Sequence, residues 1–366
     1  MRRWKRMLFD KYYFQCLPGA TTAATTKTTT TAVKTTTAVT TTKTTTAATT
    51  TIAASGNART APPSGALVVR QSGTKSGEYA SINAAVAALG TGTTAKTIFI
   101  YQGTFTEHVI VNYTGPLTIQ GYTTDYTSYA GNTVVLTNNI PQSVAQADGS
   151  ATLLIQKAAA NVKVYNLNIK NTYGVGSQAI AMSASGVYGG FYGCGFYGYQ
   201  DTLYAKQGKQ YYANCFIQGA VDYIYGSASA WFNKCILSSN ANGAITANGR
   251  ESTTDPSWYV FESCTIQKAS AVQSGATLST GGVYLGRPWQ VDARVLYQRC
   301  VIPDLVNAAG WEPMAAGATP FFYEYQNTGA GASTSKRQYL TSTTVSQTKA
   351  GLFASDTGFI DAAYPS

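Results

Sequence analysis

From residue 66 onward, short runs of β-branched and aromatic residues alternate with glycine-rich breaks. Residues 97–101, 117–119, 134–136 and 162–164 predict strands on this pattern. Residues 81–89 differ: a serine opens an alanine-rich run with apolar residues at helical spacing, and Gly90 closes it. This predicts a short helix near the start of the folded part. In the second half a repeat emerges: an aromatic, two residues, Cys, one residue, then an apolar residue. Its copies are Phe191/Cys194/Phe196, Tyr212/Cys215/Ile217, Phe232/Cys235/Leu237, Phe261/Cys264/Ile266 and Tyr297/Cys300/Ile302. The cysteines are 21, 20, 29 and 36 residues apart. A period near 20 with later insertions predicts a solenoid of stacked rungs with parallel strands. Antiparallel hairpins would need two-residue Asn-Gly or Asp-Gly turns at closer spacing. The architecture read from the pattern is therefore all-β, a parallel solenoid capped by the short helix. Its inward cysteine column has a rung spacing of about 4.8 Å. An unstrained disulfide needs Cβ atoms about 3.8 Å apart. Reduced, buried thiols are expected.

The polar residues fall on the same period. Asp201 lies seven residues after Cys194, and Asp222 seven after Cys215. The two aspartates thus take equivalent places on consecutive rungs. Gln178 and Gln200 are 22 apart, again about one rung. Two carboxylates one rung apart between aromatic runs cannot both ionise easily, so one should stay protonated beside an ionised neighbour. Carboxamide N–H groups next to them suit an oxyanion. The same spacing also fits an Asn/Gln/Asp ladder with a purely structural role, and the residues alone leave both readings open.

Charge and composition narrow the chemistry. The formal charge of +10 is concentrated in the first 61 residues, where nine basic residues against one acid leave +8. The other 305 residues carry 17 basic and 15 acidic groups, or +2. A nearly neutral body argues against nucleic acid as a partner. There is one histidine, His108, between Glu107 and an apolar Val-Ile-Val run. It reads as a structural strand residue, and triad or multi-histidine zinc chemistry is not supported. No Cys/His or acidic cluster has ligand spacing, so neither metal nor cofactor is expected. No apolar run approaches the ~18 residues of a membrane span.

The chain divides into three parts. Residues 21–51 hold 20 Thr, six Ala, three Lys and two Val, which cannot bury a core. Residues 18–65 are read as a Thr-rich, O-glycosylated linker, with Ala61-Pro62-Pro63-Ser64-Gly65 at its edge. Residues 66–366 form the main domain. Residues 1–17 are basic but lack the apolar core of a signal peptide, so either the protein is not secreted or this start is not the native one.

Five stretches then point to a family. They are Gly103-Thr104-Phe105-Thr106-Glu107, Gln178-Ala179-Ile180-Ala181, Gly198-Tyr199-Gln200-Asp201-Thr202-Leu203, Asp222-Tyr223-Ile224-Tyr225-Gly226 and Leu285-Gly286-Arg287-Pro288-Trp289. In this order they resemble the signature motifs of the pectin methylesterases, fungal type. Further similarity lies at Thr246-Ala247-Asn248-Gly249-Arg250, Ala309-Gly310-Trp311 and residues 323–329, so the resemblance spans about residues 66–366. It implies a single-stranded right-handed parallel β-helix of the pectin lyase-like kind. It also implies hydrolysis of the methyl esters of homogalacturonan to pectate and methanol. By resemblance, Asp222 is the nucleophile and Asp201 the general acid and base. Gln178 and Gln200 hold the oxyanion, and Arg287 pairs with Asp222. Trp289, Tyr225, Tyr199 and Arg250 are expected along the substrate groove.

Phe105, Asn248 and Met314 depart from the usual Tyr, Gln and Trp, and none belongs to the catalytic set. A pectate lyase would need a Ca²⁺ site of several clustered acids. A polygalacturonase would show a Gly-His-Gly segment that His108 cannot supply. A non-catalytic carbohydrate-binding solenoid would have no use for the Asp201, Asp222 and Arg287 set. Upstream, residues 10–17 resemble the last segment of a fungal cellulose-binding module. Only its tail is present, so cellulose binding is not expected of this stub. The family further implies an extracellular, monomeric enzyme.

Overall fold

The computed structural model describes residues 56–365. Its strands lie in one eleven-stranded and two seven-stranded sheets, and every pair of named strands is parallel. The chain visits the sheets in turn. One rung is Met182–Ala184, Tyr188–Tyr192 and Gly195–Tyr197, the next Leu203–Ala205, Lys209–Ala213 and Phe216–Gly219. The fold is a parallel β-helix, as the period predicts. The strands predicted at 97–101, 117–119, 134–136 and 162–164 are observed as Lys96–Ile100, Pro116–Gly121, Val134–Asn138 and Asn161–Tyr165.

The repeat maps onto one corner of each rung. Phe191, Tyr212, Phe232, Phe261 and Tyr297 are register partners in the large sheet. Their rings stack along the axis, with centroids 4.7, 4.5, 4.5 and 4.5 Å apart. Rung spacing therefore sets ring spacing, and each pair adds offset-stacking attraction to the burial of two faces. Just before each cysteine the backbone turns through the left-handed region, at Gly193, Asn214, Lys234, Ser263 and Arg299 (φ 51–56°). That single bend carries the chain from the large sheet into the next one. Cys194, Cys215, Cys235, Cys264 and Cys300 are all free and buried. Each thiol donates to a carbonyl of the preceding rung, as Cys194 does to Val164 O at 3.4 Å and Cys215 to Phe191 O at 3.4 Å.

The helix predicted at 81–89 is observed as Ile82–Ala87. Ser81 caps it, its hydroxyl accepting from Ala84 N at 3.1 Å, and Gly90 leaves it with φ 69°. Both oxygens of Glu107 accept first-turn amides, from Ile82 at 3.0 Å and Asn83 at 2.8 Å. A carboxylate at a helix N-terminus is favourable in both hydrogen bonding and dipole. Ile82 and Ala85 close the N-terminal end of the core. His108 hydrogen-bonds the Ala151 carbonyl.

Two features were not foreseen. First, the C-terminal segment, including helix Lys349–Leu352, folds back over the large sheet. Phe353, Phe359 and Tyr364 pack on Tyr165, Tyr192, Tyr211 and Trp231. Lys209 pairs with Asp356 at 2.8 Å, and Tyr165 donates to Asp361 at 2.8 Å. Second, the folded body begins before residue 66. Arg59 pairs antiparallel with Thr123 through bonds of 2.9 and 3.0 Å. Its guanidinium donates to Asn166 Oδ1 at 2.9 Å and lies over the rings of Tyr126 and Tyr165. Arg59, within the segment read as linker, thus packs on the β-helix, because an arginine can satisfy donors and ring faces at once. The stub at 1–17 and the Thr-rich segment at 21–51 lie outside the described residues.

Candidate active site

The site is built on the corner where the chain enters the seven-stranded sheet that contains Leu203–Ala205 and Ile224–Gly226. These strands are in register, Leu203 opposite Ile224. Asp201 and Asp222 each lie two residues before that register pair, so their equivalence on consecutive rungs holds. Both have left-handed backbones, φ 63° and 50°. Aspartate tolerates this region better than most residues. Asp201 N donates to Val221 O at 3.0 Å and Asp222 N to Ala244 O at 2.7 Å, so the next rung fixes each corner.

Both carboxyls are withdrawn from water, with Asp201 8% and Asp222 3% exposed. Burial raises Asp201 well above the usual carboxylate range; the Asp222 charge adds to this and Arg287 opposes it. Burial also raises Asp222, against two charge-assisted bonds from Arg287. Arg287 Nε meets Oδ1 at 2.8 Å and Nη2 meets Oδ2 at 2.8 Å, a fork matched to a carboxylate. Arg287 reaches this position from strand Val283–Pro288, where it is opposite Ala247, itself opposite Tyr225. The result is an asymmetric pair: Asp222 carries the Arg287 fork, and Asp201, the more strongly raised of the two, has no such bond among the described residues.

Gln200 bridges to Val221, and its carbonyl accepts from Ala179 N at 3.1 Å. Gln178 lies immediately before Ala179, so it is one residue off strict rung register with Gln200. Both glutamines are half-buried. Neither carboxamide is hydrogen-bonded to another described residue.

An aromatic surface flanks the pair. Tyr225 stacks on Tyr204 at 4.1 Å and 8°, and Trp289 meets Tyr225 edge-on at 5.8 Å and 64°. The Tyr225 hydroxyl is buried without a partner among the described residues, and burial raises it well above its ordinary value. Gly249 is what admits Trp289: a Cβ there would lie 2.7 Å from the indole ring. Tyr199 is half-buried next to Gln200, and burial raises its hydroxyl.

Arg250 has a different place from the groove position expected of it. It is 1% exposed, and its guanidinium donates to the carbonyls of Asp255 (2.7 Å), Asp292 (2.9 Å) and Thr253 (2.7 Å). Those bonds occupy all three of its nitrogens and tie down the loop after strand Gly243–Asn248. Asn248 is likewise structural, with its oxygen accepting from Arg294 N at 2.8 Å. Two residues at the site were missed. Tyr204 is the register partner of Tyr225 and could have been found by stepping back 21 residues. Glu312 has its Oε2 3.9 Å from Arg287 Nη1, and burial raises its carboxyl. Only its position next to Trp311 hinted at this.

A pectinesterase family model matches residues 66–363, which include the whole of this constellation. The chain belongs to the pectinesterase family. Pectinesterase A of Emericella nidulans is 51% identical over 310 residues, covering 84% of this chain and 92% of that protein. The Aspergillus niger pectin methylesterase crystal structure superposes with a TM-score of 0.78 at 46% identity, covering 84% of this pectinesterase and all of that chain. The carrot pectin methylesterase gives 0.71 at 26% identity, over 81% of this chain and 96% of that one.

Proposed function

We propose that this chain hydrolyses the methyl esters of pectin, with Asp222 as nucleophile and Asp201 as general acid and then base. The observation that carries the reading is the asymmetry of two buried carboxyls on consecutive rungs. One is clamped by Arg287 as an anion, and burial and its neighbour keep the other protonated.

An Asp222 carboxylate oxygen attacks the C6 carbonyl of a methylated galacturonate. The carbonyl π pair moves to oxygen, where the carboxamide N–H groups of Gln178 and Gln200 meet it. As the tetrahedral centre collapses, the C–OCH₃ bond breaks and Asp201 gives its proton to the departing methoxy oxygen. Methanol leaves, and C6 remains joined to Asp222 as a mixed anhydride. Water then attacks C6, Asp201, now ionised, takes its proton, and Asp222 departs as the carboxylate. The product is the free uronic acid, and both aspartates return to their starting states. Arg287 has a double part: it keeps Asp222 ionised before attack and favours it as a leaving group afterwards. Tyr204, Tyr225, Trp289 and Tyr199 offer ring faces to the sugar C–H groups. In this reading the enzyme works outside the cell, as a monomer, on cell-wall homogalacturonan.

The test is methanol release from methylated pectin by Asp222→Asn and Asp201→Asn. Asparagine keeps the left-handed corner, so the fold should survive in both. Each variant should lose nearly all turnover while remaining folded, as read by circular dichroism. Near-wild-type release in either removes that aspartate from the mechanism. An unsaturated product absorbing in the ultraviolet would favour a lyase instead.

A further inference from the structure

The whole sequence contains one Asn-X-Ser/Thr triplet, Asn112-Tyr113-Thr114. It follows strand Val109–Val111 directly. Asn112 and Thr114 are exposed, whereas Tyr113 between them is 2% exposed and its hydroxyl donates to Thr94 O at 2.5 Å. The buried ring fixes the direction of its neighbours, so Asn112 is turned to solvent. Its carboxamide is not hydrogen-bonded to any other described residue. A sugar attached there displaces no contact.

The same strand lies at a sheet edge. At the N-terminal end of the β-helix each sheet has an outermost strand: Leu67–Val69, Gly103–Thr106 and Val109–Val111. Unpaired edges invite pairing with another chain. Two of the three are covered. Tyr79 returns alongside the first, with Arg70 N donating to Tyr79 O at 2.9 Å and Tyr79 N to Val68 O at 2.8 Å. The Gln71 carboxamide covers the second, bonding both the N–H and the C=O of Thr104. The third strand uses Val109 and Val111 to bond the next rung, to Thr152 O and from Gln156 N at 2.9 Å each. No loop or side chain among the described residues bonds the backbone of Ile110, and its side chain is 39% exposed. The strand is short and helix Ile82–Ala87 packs beside it, but this all-aliphatic edge has neither Lys nor Pro to guard it against self-association.

We propose that Asn112 is an N-glycosylation site, and that its glycan screens the Val109–Val111 edge from pairing with a second copy of the chain. The proposal rests on the extracellular reading above, since the modification is made in the secretory pathway. The bulk and hydration of the glycan would stand one residue beyond the strand and prevent close approach of another backbone.

The experiment is secretion of the full chain from a eukaryotic host behind an added signal sequence. Intact mass is measured before and after an amidase specific for N-linked glycans, which leaves any O-linked sugars in place. One N-glycan is expected, absent from Asn112→Gln. Sedimentation over a concentration series follows for four samples: wild type, enzymatically deglycosylated wild type, Asn112→Gln, and Asn112→Gln with Ile110→Lys. The second and third should self-associate at about tenfold lower concentration than the first. The fourth should return to wild-type behaviour, because a lysine guards the edge without a glycan. A secreted chain with no removable N-glycan overturns the site. A glycan present on wild type, with Asn112→Gln remaining equally monodisperse, overturns the screening role. Methanol release is measured on every sample: its absence from all of them would count against the esterase reading alone, because the mass and sedimentation results do not depend on it.

Discussion

Replacing Arg287 with glutamine separates the electrostatic account of the site from a purely steric one. Arg287 gives Asp222 two bonds of 2.8 Å. A hydrogen bond to a charged group contributes about 1.5–3 kcal/mol net, and breaking a buried pair costs about 3–5 kcal/mol in all. The Arg287 side chain is 22% exposed against 5% for Asp222, so water recovers part of the loss and the lower end applies. About 3 kcal/mol corresponds to roughly a hundredfold fall in turnover. The pH profile should move as well. Burial already raises Asp222, and Arg287 is what opposes it. Without the guanidinium the carboxyl rises further, and less of it is ionised in acid. The acid limb of kcat in Arg287→Gln should therefore shift to higher pH, with Arg287→Lys intermediate because it restores charge without the fork. The assay is methanol release across pH at saturating substrate, with melting temperature as a control for folding. A glutamine variant within about threefold of wild type, with its acid limb unmoved, would refute the assignment of Arg287 as the group that keeps Asp222 ionised.

Three further outcomes are expected. Asp201 is raised well above its ordinary value by burial first and the Asp222 charge second, so folding favours its neutral form; that stability is complete below the unfolded pKa of about 3.9 and is lost as pH rises through the folded value. The melting temperature of wild type should thus fall more steeply toward alkaline pH than that of Asp201→Asn, and parallel curves would count against it. Asp222 and Arg287 both act on Glu312, so removing its charge in Glu312→Gln should shift the acid limb to lower pH, opposite to Arg287→Gln; a shift in the same direction would contradict the geometry. Deleting residues 1–55 should leave the melting temperature of the β-helix unchanged, whereas deleting 1–61 removes Arg59 and should cost about 1–3 kcal/mol, read by denaturant unfolding. Equal stability of the two deletions would show that Arg59 anchors nothing.

The β-helix was legible because its rungs repeat chemically as well as geometrically. An aromatic, a cysteine and an aliphatic residue recur at fixed offsets, and stacking requires such columns. The aspartate pair was legible for the same reason, since seven residues from each cysteine locates one corner. Arg287 and Trp289 came from motif resemblance, and the structure brings both to the pair. Arg250 shows the limit of that route: a motif gives identity and order, but not whether a guanidinium faces a groove or a ring of carbonyls. Glu312 comes from a later loop of irregular length, where no period operates. The docking of residue 59 and the returning C-terminal segment rest on contacts between distant parts of the chain, 107 residues apart for Arg59 and Asn166 and 196 for Tyr165 and Asp361. No local pattern encodes such pairings.

The rung spacing has a consequence for how this protein can change over evolution. Between Asp201 and Asp222 the chain has room for one minimal turn of the coil, and an inserted or deleted residue there would rotate one carboxyl away from the other. Later turns are under no such restriction: ten residues separate strands Gly243–Asn248 and Tyr259–Glu262, and fourteen separate Thr265–Lys268 and Val283–Pro288. Length variation is thus channelled away from the Asp201–Asp222 turn, into turns such as these and the fourteen residues between Val134–Asn138 and Leu153–Ile155, while the reacting pair stays in place. Diversification among descendants of this gene should be written in indels outside residues 201–222 and in point substitutions within them.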